Sequence, residues 1–267
     1  MTARSPADGV LVVVPTYNEA ESLAAVLDRL HAAVPAAHAL VVDDASPDGT
    51  GPLADRLAAA DERVHVLHRT AKAGLGPAYV AGFGWARQHG WPVVVEMDAD
   101  GSHPPEQLPE LLTALAGADL VLGSRYLPGG RVEDWPWFRL AISRIGNVYT
   151  RRMLRLPLTD ATGGFRAVRA DLLARLPLDQ VASQGYCFQV DWAWRAVRSG
   201  ARVVEVPIVF TERAAGRSKM SSSIVVEALA RVTWWGVLDR LAEWLPGRVP
   251  RPVPGRTRDT QGLRAAR

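Results

Sequence analysis

Residues 93–105, V-V-V-E-M-D-A-D-G-S-H-P-P, constrain this chain more than any other stretch, because an apolar run stops abruptly at two aspartates one residue apart. A run of β-branched residues reads as a buried central strand, and parallel sheets present ligand chemistry at the carboxyl ends of their strands. Asp98 and Asp100 then fall on that edge, with the chain turning over Ala99. Two carboxylates so spaced can face one hard divalent cation, Mg²⁺ or Mn²⁺, and leave it open positions for phosphate oxygens. Asp, Gly, Ser and Pro are also turn formers, so the pair taken alone reads equally well as a turn.

The rest of the chain shows how such a strand is packed. Apolar strands are expected at 10–14, 39–42, 64–67, 93–97 and 119–122, alternating with helical spacing over 19–33, 50–60, 76–88 and 105–116. This β-α alternation predicts an α/β fold, Rossmann-like, with a doubly wound and mainly parallel sheet. Further strands are expected at 162–166 and at 203–210, the latter broken at Pro207, and a helix at 139–154 carries Arg139, Arg144, Arg151 and Arg152. Polar residues gather after the first, second and fourth strands. Tyr17 offers a flat ring for a base, and Glu19 and Asp44 offer acceptors to base or ribose. Taken singly, Asn18 and Asp48 read as caps and turn residues.

A chain of 267 residues, 48% of them hydrophobic, can bury a full core. Cys187 is its single cysteine, which points to a reducing compartment and excludes a disulfide framework or a Cys-rich metal site. The first nine residues lack an apolar segment and no long uncharged apolar run follows, so neither a signal peptide nor a spanning helix is expected. The net charge of +3 conceals an asymmetry: residues 246–267 hold six arginines against one aspartate. With four prolines and few large apolar residues, that tail is expected to be disordered, and either drawn to anionic surfaces or merely solvated.

Seven segments in order carry a resemblance: P-T-Y-N-E, V-D-D-A-S-P-D-G-T, K-A-G-L-G-P-A, M-D-A-D-G-S-H-P-P-E, G-S-R-Y, T-G-G-F-R and R-A-A-G-R-S-K-M-S. Together they resemble the polyprenol-phosphate mannose synthases, dolichol-phosphate-mannose-synthase-like members of the inverting glycosyltransferase family 2. The resemblance runs from about Val10 to about Ser223. It implies a GT-A fold and inverting transfer of mannose from GDP-mannose to a polyprenyl phosphate. It also implies a donor site at Pro15, Tyr17, Glu19, Val42 and Asp44, with Asp98, Ala99 and Asp100 on diphosphate and metal and Asp100 as the direct ligand. Some relatives have Gln where this chain has Ser102, so the third metal ligand is left open.

Arg125 follows the fifth strand, and a guanidinium there matches phosphate in a bidentate way; a surface ion pair is the alternative. Only two of the 31 basic residues are lysines, Lys72 and Lys219, both in glycine-bearing loops that match the family segments. With Arg213, Lys219 is expected to form a lid over the diphosphate. Residues 127–138 read as a mobile loop presenting Trp135 and Trp137 to a membrane interface, and 224–245 as an interfacial helix that lies on lipid, packs on a membrane protein, or packs on its own catalytic domain.

The expected organisation is therefore a tail at 1–9, a GT-A domain at 10–223, a helix at 224–245 and a basic tail at 246–267. Expected partners are GDP-mannose, polyprenyl phosphate, a membrane surface and a membrane protein, with no nucleic acid. The expected location is the cytoplasmic side, peripheral on the inner face of the membrane. UDP-glucose as donor and a non-catalytic scaffold are the competing readings. A dinucleotide oxidoreductase is disfavoured because the G-x-G at Gly74 and Gly76 lacks the later glycine. The absence of Q-x-x-R-W disfavours a processive synthase.

Overall fold

A computed structural model describes residues 9–177, 186–212 and 222–245. In chain order these form β1 (Val10–Thr16), α1 (Leu23–Ala33), β2 (His38–Asp43), α2 (Thr50–Ala60), β3 (Val64–His68), α3 (Leu75–Gln88) and β4 (Val93–Glu96). A 3-10 turn at Pro105–Gln107 leads into α4 (Leu108–Leu115), followed by β5 (Leu120–Ser124), β6 (Arg131–Val132) and α5 (Trp137–Leu154). Then come β7 (Arg166–Arg169), α6 (Ala170–Arg175), α7 (Tyr186–Arg198), β8 (Val203–Pro207), β9 (Val209–Phe210) and α8 (Ser222–Trp244).

Seven strands make one sheet in the order β3-β2-β1-β4-β7-β5-β8. All neighbours are parallel except that β7 lies antiparallel between β4 and β5. Since β2 and β3 extend from one side of β1 and β4 from the other, the order reverses at β1 and β4, and a crevice opens at their carboxyl ends. Both faces are covered, which is why the strands read as unbroken apolar runs. Leu11 and Val13 of β1 pack towards Tyr79, Phe83, Phe188 and Trp192 of α3 and α7. Val10, Val12 and Val14 pack towards Leu23, Leu27, Leu30, Leu108 and Leu111 of α1 and α4.

Three expectations are corrected. The first helix begins at Leu23 rather than residue 19, because Asn18 takes a left-handed turn (φ 59°) and a turn follows it. Residues 162–165 are a loop, and the strand expected there starts at Arg166. The 127–138 segment is partly ordered as β6, which pairs with β9, and its two tryptophans part company: Trp135 packs edge-on against Phe210 at 5.5 Å, whereas Trp137 is 81% exposed at the start of α5.

Of the alternatives open for residues 224–245, α8 packs on its own domain, mainly against α5 and α7. Val232 and Ala242 are buried, Trp235 stacks on Trp194 at 5.8 Å, and Arg240 donates to the Met153 carbonyl. The Arg155–Glu243 and Arg198–Asp239 ion pairs tie its second half down. Its other side shows Val226, Leu229, Trp234, Val237, Leu241 and Trp244 to solvent, and Phe138, Ile142 and Ile145 of α5 are exposed as well. Among the described residues no helix is long and apolar enough to cross a membrane.

Helix α3 approaches β1 closely at Gly82, where an added Cβ would lie 2.5 Å from Val13 Cγ1; at Gly84, two residues on, it would meet nothing within 4 Å. Overpacking a core costs about 1–3 kcal/mol, while Gly→Ala gains up to about 1 kcal/mol of helix propensity. Gly82→Ala is therefore expected to lower unfolding stability and Gly84→Ala to raise it. Chemical denaturation of both variants checks this, and equal shifts of one sign would contradict the packing.

Candidate active site at the carboxyl edge of the sheet

The crevice at the reversal point is a single cavity with three chemically different zones. Its first zone is built by the ends of β1 and β2. Pro15, Thr16, Tyr17, Glu19, Asp44, Lys72 and Gly74 line it. The D-A-S-P-D-G-T loop works mainly as scaffolding: Ser46 Oγ accepts from the Asn18 N–H, Asp48 from the Ala20 N–H and both Thr50 donors, and Thr50 Oγ1 from the Glu19 N–H. These bonds hold the two strand-end loops against each other.

Asp44, only 3% exposed, accepts the backbone N–H groups of Ala73 and Gly74 at 2.8 Å each and an Arg69 guanidinium N–H at 2.5 Å. It clamps the loop before α3, and Lys72 projects from that loop with Nζ 3.8 Å from the centre of the Tyr17 ring. Val42 belongs elsewhere. Its side chain is buried in the core beneath the cavity and does not line it.

The second zone is the aspartate pair. Asp98, Ala99, Asp100, Ser102 and His103 all line the cavity, with Gly101 at φ +77° making the tight turn between them. Tyr79 Oη donates to Asp98 at 3.3 Å; Asp100 Oδ1 accepts both the Ser102 N–H (3.1 Å) and its hydroxyl (2.6 Å). Ser102 thus orients Asp100. His103 is buried, stacked on Phe165 at 5.4 Å; its Nδ1 accepts the Asp98 N–H at 3.1 Å and lies 3.8 Å from the Asp98 carboxylate. Across from it, a side chain on Gly164 would meet His103 Cε1 at 3.3 Å, so the glycine keeps the cavity open.

This donor set suits a hard divalent cation. The groups are carboxylate and hydroxyl oxygens, and among the described residues no cluster of three or more His, Cys, Asp or Glu could hold an ion by itself. A cation at Asp98 and Asp100 would need to complete its shell with oxygens from a ligand, as Mg²⁺ or Mn²⁺ does with phosphates.

Arg125, Trp135, Arg139, Thr162, Phe210, Glu212 and Glu227 line the third zone. Arg125 reaches the cavity as expected from its place after β5, but its charge is already balanced. Nε and Nη2 make a bidentate pair with Asp160 at 2.6 and 2.7 Å, and Nη2 also donates to Thr162. Burial pushes the Asp160 carboxyl upward, yet the Arg125 charge and hydrogen bonds outweigh it and hold the group below the ordinary carboxylate range. Arg125 is part of a buried ion pair that also faces the cavity. Arg139 lies over the Trp135 ring at 4.0 Å and pairs with Glu212.

Beneath these zones runs a polar floor. Glu96, fully buried at the end of β4, accepts from Gln189 Nε2 at 2.8 Å, and burial raises its pKa to about 7 against the opposing charge of Arg166. Asp191 does not face the cavity; it is buried and paired with Arg195 one helical turn on. Arg213 and Lys219 lie outside the described residues.

His103, Asp160 and the cavity position of Arg139 were not singled out from the sequence. His103 stands inside the D-A-D-G-S-H segment and was available to a search for polar groups there. Asp160 gave no local signal, since its partner is 35 residues away.

The profile described as "Glycosyl transferase family 2" matches residues 11–176. The polyprenol monophosphomannose synthase of Mycolicibacterium smegmatis is 56% identical over 238 residues, 88% of this chain and 90% of that protein. The undecaprenyl-phosphate mannosyltransferase of Micrococcus luteus is 59% identical over 231 residues, 86% of this chain and 95% of that protein. Among solved structures, a Pyrobaculum calidifontis mannosyltransferase in complex with GDP-Man and Mn2+ aligns with a TM-score of 0.54 at 21% identity, over 92% of this chain and 67% of that one, a likeness of fold. The strand order, the carboxylate pair at the sheet's switch point and these matches lead to one conclusion: the chain belongs to glycosyltransferase family 2.

Proposed function

We infer that this protein transfers mannose from GDP-mannose to a polyprenyl monophosphate with inversion, giving a polyprenyl-phosphate β-mannose. The observation that carries this reading is the zoning of one cavity, with a stacking ring and acceptors at one end, a carboxylate pair in the middle and aromatic and guanidinium groups at the other. The high identity to relatives named for polyprenyl-phosphate mannosyl transfer supports the same substrates.

Pro15, Tyr17, Glu19 and Asp44 take the nucleoside, Asp44 doing so largely through the loop it clamps. Val42 contributes only as the core residue under that site. Asp98 and Asp100 hold Mg²⁺ or Mn²⁺, with Ala99 turning the chain between them and Ser102 fixing the rotamer of Asp100. A divalent ion bound there neutralises the charge that builds on the departing diphosphate. Arg125, through its paired guanidinium, shapes the wall beside the acceptor, and Arg213 and Lys219 add positive charge to the diphosphate.

A protein base has no work to do in this transfer. The second pKa of a phosphate monoester is near about 6, so at neutral pH the acceptor oxygen is already ionised. That oxygen forms its bond to the anomeric carbon as the bond to GDP breaks, and the electron pair leaves with GDP. The enzyme's contribution is to hold the two in line and to stabilise charge. The acceptor is a lipid, and the exposed apolar residues of α5 and α8, with Arg144, Arg151 and Arg152 exposed on α5, fit an anionic membrane surface. A membrane-protein partner is the second occupant that this surface suits.

Three expected outcomes follow. Protein incubated with labelled GDP-mannose, Mg²⁺ and a short polyprenyl phosphate should move label into the organic phase, and unlabelled UDP-glucose should not compete; EDTA should abolish transfer and Asp100→Asn reduce it about a hundredfold. Competition by UDP-glucose would remove the donor assignment, and full activity in EDTA the metal. Asp191→Asn, checked for fold and GDP-mannose binding, should keep its turnover to within about tenfold. A loss of roughly a thousandfold that recovers at high pH would restore a protein base. Finally, Trp137→Ser with Trp244→Ser should weaken binding to anionic vesicles by on the order of tenfold per tryptophan while sparing activity on a water-soluble acceptor. Unchanged vesicle binding would move the lipid contact off this face.

A further inference from the structure

Lys72 has no part in the site as the family resemblance outlines it, yet it occupies the place where a base would stack. Its ammonium lies over the centre of the Tyr17 ring, 3.8 Å away, and both residues line the cavity. A chain with 31 basic residues keeps lysine at only two positions. Lys72 is exposed and sits on a loop whose backbone is held by Asp44 at the next two residues, Ala73 and Gly74. Its root is therefore fixed beside the nucleoside zone while its four-carbon stem is free to swing.

We propose that Lys72 is a specificity-determining residue for the base of the donor. Before the donor enters, the ammonium rests on the Tyr17 face and covers it. A planar base that stacks on Tyr17 must displace it, and the nearest position with comparable electrostatic reward is the edge of that base. Guanine presents two acceptors side by side, O6 and N7, which a compact ammonium can serve together; adenine replaces the first with a donating amino group. Glu19 lines the same zone, so the zone combines a donor for the O6/N7 edge with a carboxylate for N–H groups. Lysine rather than arginine suits the switch, because a point charge can leave a ring face and find a base edge by rotating its stem, without a planar fork to align.

This proposal rests on the guanine-nucleotide donor and is tested apart from it. Binding of GDP, IDP, ADP and UDP to the wild-type protein and to Lys72→Met and Lys72→Arg is measured by calorimetry in Mg²⁺, with turnover at saturating donor as a second readout. IDP keeps O6 and N7 but lacks the 2-amino group. Wild type should bind GDP and IDP more tightly than ADP; Lys72→Met should weaken GDP and IDP by roughly tenfold, leave ADP little changed, and leave kcat near wild type, with Lys72→Arg recovering most of the loss. An equal loss for all three purine nucleotides would place the ammonium on the phosphates and overturn the proposal, as would no loss at all. Tighter binding of UDP than GDP by the wild type would remove the guanine donor itself, and this proposal with it.

Discussion

The cavity depends on a guanidinium that never reaches solvent. Arg166 is fully buried at the start of β7 and stands opposite Glu96 in the antiparallel register with β4. It donates to the carbonyls of Ala161, Gly163 and Gln189, each at 2.8–2.9 Å. An isolated buried charge is prohibitively costly, so it persists only where a counter-charge and enough acceptors surround it. Here the surrounding groups come from β4, from the T-G-G loop and from α7, three segments far apart in sequence that together form the floor under Asp98 and Asp100. Because main-chain carbonyls hold that loop, it needs no side chains of its own, and Gly163 and Gly164 can face the cavity bare.

That construction explains how the zones keep their separate chemistry. The zone at the ends of β1 and β2 is held by hydrogen bonds and the Arg69–Asp44 ion pair among residues 18–20, 44–50 and 69–74. The opposite zone is held by the Arg125–Asp160 pair, itself tied through the Asp160 and Thr159 N–H groups to Glu205 on β8. Truncating one partner of such a buried pair typically costs about 3–5 kcal/mol, so Asp160 fixes the shape of that end of the cavity.

Much of this was legible because strand ends are local. The apolar runs ending at Pro15, Asp43 and Asp98 each mark a carboxyl edge by composition alone, and a parallel doubly wound sheet puts all such edges on one side. What the sequence could not show is pairing across distance. Residues 166–169 look like any short strand, and nothing local says that they enter between β4 and β5 in the reverse direction. The engagement of Arg125 by Asp160 and of Asp44 by the 73–74 backbone is hidden for the same reason, since each residue type reads from sequence as an open ligand. The helix at α8 was ambiguous because its apolar residues surround it: one set is used by α5 and α7 and another is left outside, and periodicity alone cannot divide them.

The outward set adjoins the cavity in sequence. The cavity is lined by Trp135 and Arg139, the latter two residues into α5, and by Glu227 near the start of α8. The exposed Trp137 and Phe138 adjoin the first of these, and Val226 adjoins the last. The two helices that carry these exposed apolar residues, α5 and α8, are thus also helices that contribute to the cavity wall. Glu96, whose pKa burial raises to about 7, lies in the floor of that cavity, where it faces Arg166 and accepts from Gln189.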